Sequence, residues 1–155
     1  MLRYVKGDII KSDCDIICHQ VNCCGVMNAG VAKQIREHWP QVYELYQAWC
    51  RRLGKYRDNL LGEFQAVGIG KGKYIVNLFA QDKYGSTGVR FTNYEAFYQA
   101  ISKMEKELPI DKTVAFPYKI GCGYGGGSWN IIKAMLEEVF KNREIYIYHL
   151  EDLSE

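Results

Sequence analysis

Four polar side chains stand where this sequence could do chemistry: Asp8, His19, Asn22 and Asp82. Asp8 follows the first strand, Asn22 sits at the end of the second, and His19 lies two residues before that second strand ends. A histidine titrates near neutral pH, so His19 is a candidate general acid or base; the plainer reading is a core histidine satisfied inside its strand. The amide of Asn22 gives and accepts hydrogen bonds, which suits a ribose diol or, equally, the tying of its own loop. Asp8 can take a bond from an exocyclic amine or cap a turn. Asp82 is a candidate base.

These residues are set among two stretches of one design. The strand pattern Ile16, Ile17, Cys18 runs into a loop carrying Asn22, Gly25, Asn28 and Gly30, and helical spacing starts near Val31. The strand Thr113 to Phe116 runs into Gly121-Cys-Gly-Tyr-Gly-Gly-Gly127, then Ser128 and a helix. A glycine-rich strand-to-helix turn exposes backbone N–H groups beneath the positive end of a helix. One such turn can cradle a phosphate, and two suggest a ligand with two phosphates. Plain tight turns remain the alternative for either loop. No Gly-Lys-Ser/Thr follows the glycines and no G-x-G-x-x-G opens the first helix, so ATP hydrolysis and nicotinamide redox lose ground.

The elements that must position these loops follow from periodicity. Leu2 to Lys6 alternates as a strand and halts at Gly7-Asp8; Asp15 to Val21 is a mostly apolar run with few charges, the mark of a strand buried on both faces. Helical spacing covers Val31 to His38, breaks at Pro40 and resumes from Val42 to Leu53, with Gly54 as a stop. Glu63 to Ile69 and Tyr74 to Ala80 form a strand pair across Gly70-Lys71-Gly72. The loop Gln81 to Arg90 leads to a cap at Thr92 or Asn93 and a helix stopped by Pro109. Ser128 to Phe140 is the last helix and Glu144 to Leu150 the last strand. Alternating strands and helices with one adjacent strand pair predict a single domain over 1–155, an α/β/α three-layer fold on a mixed, mostly parallel six-stranded sheet.

Composition excludes several classes. A net charge of +2 over 155 residues is too small to argue for nucleic acid or membrane binding by electrostatics. No run approaches the ~18 apolar residues of a membrane helix, and the N-terminus lacks a signal-peptide core, so a cytoplasmic location is expected. The six cysteines contain no C-x-x-C pair and do not combine with the three histidines at metal-site spacing. Structural thiols are expected, with no metal and no cofactor; Cys23-Cys24 lie inside the first loop, where a reactive thiol would matter most.

Taken together, Val5-Lys-Gly-Asp-Ile9, His19-Gln-Val-Asn22, Asn28-Ala-Gly-Val-Ala32 and Ile120-Gly-Cys-Gly-Tyr-Gly-Gly126 resemble the macrodomain family of ADP-ribose binders. The likeness covers nearly the whole chain, including Asn-Leu-Leu-Gly-Glu63 and Ile75-Val-Asn-Leu-Phe79. It is greatest toward the compact branch holding the yeast ADP-ribose 1″-phosphate phosphatase and the terminal ADP-ribose protein glycohydrolase. The resemblance implies that Asp8 binds the adenine amine beside the Ile9 backbone, and that Asn22 holds the distal ribose. It implies a first phosphate-facing loop of Asn28, Ala29, Gly30 and Val31, with asparagine at 28 where glycine is usual. The second loop, Gly121, Cys122, Gly123, Tyr124, Gly125 and Gly126, would wrap the diphosphate, and His19 matches a histidine proposed to act in the phosphatase branch. The glycohydrolase relative uses a lysine after the strand Ile75–Phe79 and an aspartate in the second loop; this chain has Gln81 and Gly125 there, with Asp82 and Lys83 adjacent.

The expected activity is hydrolysis of ADP-ribose 1″-phosphate to ADP-ribose and phosphate by a monomer. The diphosphate would be held on two helix N-termini, with His19, Asn22 and Asp82 at the reacting end. Removal of ADP-ribose from protein or nucleic acid, and non-catalytic reading of ADP-ribosylated macromolecules, are the alternatives.

Overall fold

The computed structural model describes residues 1–53, 60–85 and 89–153. The helix stop expected at Gly54, and residues 86–88 of the loop expected from Gln81 to Arg90, lie outside the described residues. Six strands form one sheet: β1 (Leu2–Lys6), β2 (Ile16–Asn22), β3 (Phe64–Gly70), β4 (Lys73–Gln81), β5 (Val114–Pro117) and β6 (Ile145–His149). Four helices cover it: α1 (Gly30–His38), α2 (Pro40–Leu53), α3 (Tyr94–Glu107) and α4 (Trp129–Val139). The strand order is β1-β6-β5-β2-β4-β3; every pairing is parallel except β3 with β4.

The buried apolar positions of β2 are explained by the two layers it separates. Ile16 and Cys18 point into a core shared with Phe97, Ile101 and Met104 of α3 and Ile132 and Leu136 of α4. Ile17 faces the opposite way, toward Ile35 of α1 and Val42 of α2, and Val21 packs with Tyr46 and Phe79. A strand with apolar cover on both faces has no position left for a solvated side chain. Each fully buried Phe or Ile here contributes about 2 kcal/mol by removal from water.

Local chemistry sets the boundaries. Pro40 opens α2, where its missing N–H costs no helical bond. Asn93 caps α3, its side chain accepting from Ala96 N at 2.9 Å. Lys71 and Gly72, both at positive φ, turn β3 into β4 as a two-residue hairpin loop. The buried guanidinium of Arg143 grips Glu105 at 2.9 Å and donates to the carbonyls of Leu108, Pro109 and Lys112. These bonds satisfy the C-terminal end of α3 and brace the turn into β5.

The parallel strands end along one edge of the sheet, and the chain leaves β2 toward α1 and β5 toward α4. Those two helices lie on opposite faces. Neighbouring strands whose connections diverge in this way leave a crevice between their carboxyl ends.

Candidate functional site

The first wall of the crevice is a loop folded around one amide. Asn22, 7% exposed at the end of β2, accepts from Cys24 N at 2.9 Å through Oδ1 and donates to Val26 O at 2.9 Å through Nδ2. Tyr46 of α2, fully buried, places its hydroxyl 2.7 Å from both Asn22 O and Asn22 Oδ1, and accepts from Gly25 N at 3.2 Å. Burial pushes that phenol well above its ordinary pKa, so it stays a neutral donor. One Nδ2 hydrogen of Asn22 remains for a ligand. The loop tie, one of the two meanings read from the sequence, is present.

The loop then enters α1. Ala29 at the N-cap offers no side-chain acceptor, and Gly30 turns in at φ +58. The first N–H groups of the helix therefore stay open toward the crevice. Arg36 reaches back to Asn28 Oδ1 at 2.9 Å while stacking over Tyr43, which steadies the loop from outside.

The second wall is a coil of glycines held from behind by Thr92. That residue, 2% exposed, donates through Oγ1 to Gly121 O at 2.7 Å and receives Gln20 Nε2 at 2.8 Å. Phe91 N and Thr92 N both donate to Gly125 O, at 2.8 and 2.9 Å. Gly126 N turns back to Gly123 O and Gly127 N to Gly121 O. The N–H groups of Gly123, Tyr124 and Gly125 have no partner among the described residues. These are the open donors of the loop, the backbone nest that an anion fits.

Between the walls lies a cleft of about 420 Å³, with His19, Gln20 and Met27 in its floor and the exposed rings of Tyr84 and Tyr124 at its rim. It adjoins a second space of about 490 Å³, sharing Val31, Pro117, Tyr118 and Lys119 with it. Asp8, Ile9 and Tyr148 line this second space. Asp8 Oδ1 accepts from Ile10 N at 3.0 Å, capping the short 3-10 turn Ile9–Lys11; its other oxygen is open. The groove is thus long and two-chambered, with a carboxylate at one end and an amide at the other.

His19 is 1% exposed, and burial lowers its pKa to about 4 against the opposing effect of Asn77. Its Nε2 lies 2.5 Å from Asn77 Oδ1. Burial keeps this imidazole neutral at pH 7, with Nε2 facing Asn77.

No family model matches the chain. The ADP-ribose 1″-phosphate phosphatase of Scheffersomyces stipitis is 28% identical over 173 residues, covering 95% of this chain and 99% of the relative. The DNA ADP-ribosyl glycohydrolase of Mycobacterium tuberculosis is 28% identical over 144 residues; they make up 91% of this chain but 39% of that relative. The solved macrodomain of Mycobacterium tuberculosis DarG superposes with a TM-score of 0.78 at 26% identity, covering 96% of this chain and 97% of that one. The chain has the macrodomain fold.

Within the macrodomain, ten of the residues expected at the site line the first cleft: His19, Asn22, Asn28, Ala29, Gly30, Val31, Gly121, Gly123, Tyr124 and Gly125. Asp8 and Ile9 line the adjoining one. Three others lie elsewhere. Cys122 turns inward, its Sγ 3.4 Å from Ile120 O, and Gly126 backs onto Val89 and Arg90. Asp82 lies beside the cleft, its carbonyl accepting from Cys23 N at 3.1 Å, while Gln81 and Tyr84 take the cleft positions around it.

Among the described residues α1 is the helix whose first turn lines the cleft; ahead of α4, Gly126 and Gly127 spend their N–H groups inside the loop. The position matched to a catalytic aspartate is closed. A side chain at Gly125 would run into Thr92 Oγ1 and lie 2.6 Å from Gly121 O. Lys83 is exposed and offers only its carbonyl, to Gln81 Nε2 at 2.8 Å.

Gln20, Thr92, Tyr46 and Asn77 were missed by sequence reasoning. Their roles depend on which strands and helices become neighbours, and no local pattern announces that. Among the described residues no group of three His, Cys, Asp or Glu could hold a metal ion, and no helix is long and apolar enough to cross a membrane.

Proposed function

We propose that this macrodomain binds ADP-ribose along the two-chambered groove and hydrolyses a conjugate at C1″, releasing phosphate from ADP-ribose 1″-phosphate. The observation that carries the reading is the order of groups along one groove. An open carboxylate oxygen on Asp8 suits the adenine amine, the unpartnered N–H groups of α1 and of Gly123–Gly125 suit a diphosphate, and Asn22 with His19 suits the distal ribose. The names of the relatives support the same ligand. Holding the remote diphosphate and adenine orients the far end for attack by water.

For His19, a neutral buried imidazole suits positioning the attacking water better than donating a proton to the leaving group. Water adds, the ester to phosphate breaks, and ADP-ribose and inorganic phosphate leave. The glycohydrolase relatives favour a second reading, cleavage of ADP-ribose from nucleic acid or protein in the same groove.

Calorimetry with ADP-ribose against AMP tests the binding, and incubation with ADP-ribose 1″-phosphate, ADP-ribosylated DNA and ADP-ribosylated protein tests the chemistry. ADP-ribose binding no tighter than AMP ends the reading. Binding without phosphate or free ADP-ribose from any conjugate leaves a reader. Asn22→Ala is expected to weaken ADP-ribose binding at least tenfold, on the order of one lost hydrogen bond with its loop tie, and AMP binding by less than about twofold. Equal losses for both ligands would remove Asn22 from the distal end.

A further inference from the structure

His19, Asn77 and Gln65 stand side by side on one face of three adjacent strands. His19 pairs in register with Asn77 across β2 and β4, and Asn77 with Gln65 across β4 and β3. All three are buried polar residues. Gln65 Nε2 donates to Leu45 O at 3.1 Å, Asn77 Nδ2 donates to Gln65 Oε1 at 2.9 Å, and Asn77 Oδ1 faces His19 Nε2 at 2.5 Å.

The direction of this chain is set from its far end. A backbone carbonyl only accepts, so Leu45 O fixes which end of the Gln65 amide faces it. That orients Gln65 Oε1 toward Asn77, which orients Asn77 Oδ1 toward His19. An acceptor opposite Nε2 requires the proton there, and a neutral imidazole then carries its lone pair on Nδ1. His19 Nδ1 is buried without a partner among the described residues, and His19 lies in the cleft floor. This chain ends on an unpartnered acceptor of a residue that lines the cleft. A buried acceptor without a partner costs free energy that a donor brought by the ligand would remove.

We propose that Gln65 and Asn77 are positioning residues that hold His19 in the Nε2–H tautomer. Nδ1 is thereby left as a fixed acceptor for the water or hydroxyl at C1″ of the bound conjugate. The identity of that group rests on the ADP-ribose reading; the tautomer does not. No proton changes hands in this role: Nδ1 receives a hydrogen bond and aims the oxygen that bears it.

Nitrogen-15 spectra of histidine-labelled protein at pH 7 read the tautomer directly, with His19 assigned by its loss in His19→Gln. Nε2 is expected protonated and Nδ1 unprotonated in the free protein. Saturating ADP-ribose is expected to move the Nδ1 resonance, and AMP to leave it in place. A protonated Nδ1, or an Nδ1 resonance indifferent to bound ADP-ribose, overturns the proposal.

Gln65→Leu, outside the cleft, is expected to let a second tautomer appear. It should lower kcat on ADP-ribose 1″-phosphate by about tenfold or more, with KM within about threefold. Gln65→Glu, whose neutral acid can donate to Leu45 O and accept from Asn77, is expected to restore both. Wild-type kcat in Gln65→Leu overturns the proposal, and the wild-type spectra decide it should that variant fail to fold. Failure of ADP-ribose to bind removes the ligand half together with the functional reading, and is distinguished by the tautomer measured without ligand.

Discussion

Gly126→Ala is expected to weaken ADP-ribose binding by about a hundredfold while the sheet stays folded. Gly126 sits at φ +71, where a side chain costs about 1–3 kcal/mol, and a Cβ there would lie 2.8 Å from Val89 O and 2.9 Å from Arg90 Cα. Both neighbours are backbone, so neither can swing aside as a long side chain would. Relief requires the loop to move, and Gly126 N is bonded to Gly123 O, so the displacement reaches the N–H groups proposed to meet the diphosphate. Misplacing several donors at once by ~3 kcal/mol corresponds to about two decades in affinity. Calorimetry measures the loss and circular dichroism checks the fold; a Kd within about threefold of wild type would show that the loop is not the anion cradle.

The second large effect is on acid stability. The unfolded chain takes up a proton on His19 near pH 6.5, whereas the folded protein does so only near 4 because charging the buried ring is costly. Between those values the unfolded state binds more protons, so stability falls as pH falls through the window. The loss amounts to about 3 kcal/mol by pH 4 and does not grow below it. Asp15 adds to acid sensitivity at lower pH, since its bonds from Thr113 hold its carboxyl below the usual range. Urea unfolding of wild type and His19→Gln at pH 7 and pH 4.5 isolates the histidine. The variant is expected to lose the steep part of the slope; parallel slopes in the two proteins would mean that His19 is not buried neutral.

The two predictions touch the site from opposite sides, and they differ in how far the sequence foretold them. Gly126 was visible as part of a glycine run after a strand. What the run does was less visible: Gly126 and Gly127 spend their N–H groups on Gly123 and Gly121, while those of Gly123, Tyr124 and Gly125 stay open. His19 was visible as a titratable residue within a strand. Its neutrality comes from burial, and the polar groups beside it, Asn77 and Gln65, lie 58 and 46 positions away and are neighbours only once β2, β4 and β3 are in register. Thr92 is similar. As a possible helix cap it looked local, but Asn93 takes that duty and Thr92 holds the second loop instead.

The sequence by itself determined the elements, their order and the two loops, because hydrophobic period, glycine and proline act over a few residues. It also carried the family likeness, through motifs that each lie within one strand-loop junction. Only the tertiary structure decided which of those loop atoms remain free to bind. It assigned Asn22 a second duty as loop tie, turned Gly125 and Gly126 into backbone packing, and set Asp82 beside the cleft rather than in it. The reason is physical. A hydrogen-bond donor serves a ligand only if nothing in the folded chain has already satisfied it, and that depends on contacts between segments far apart in sequence.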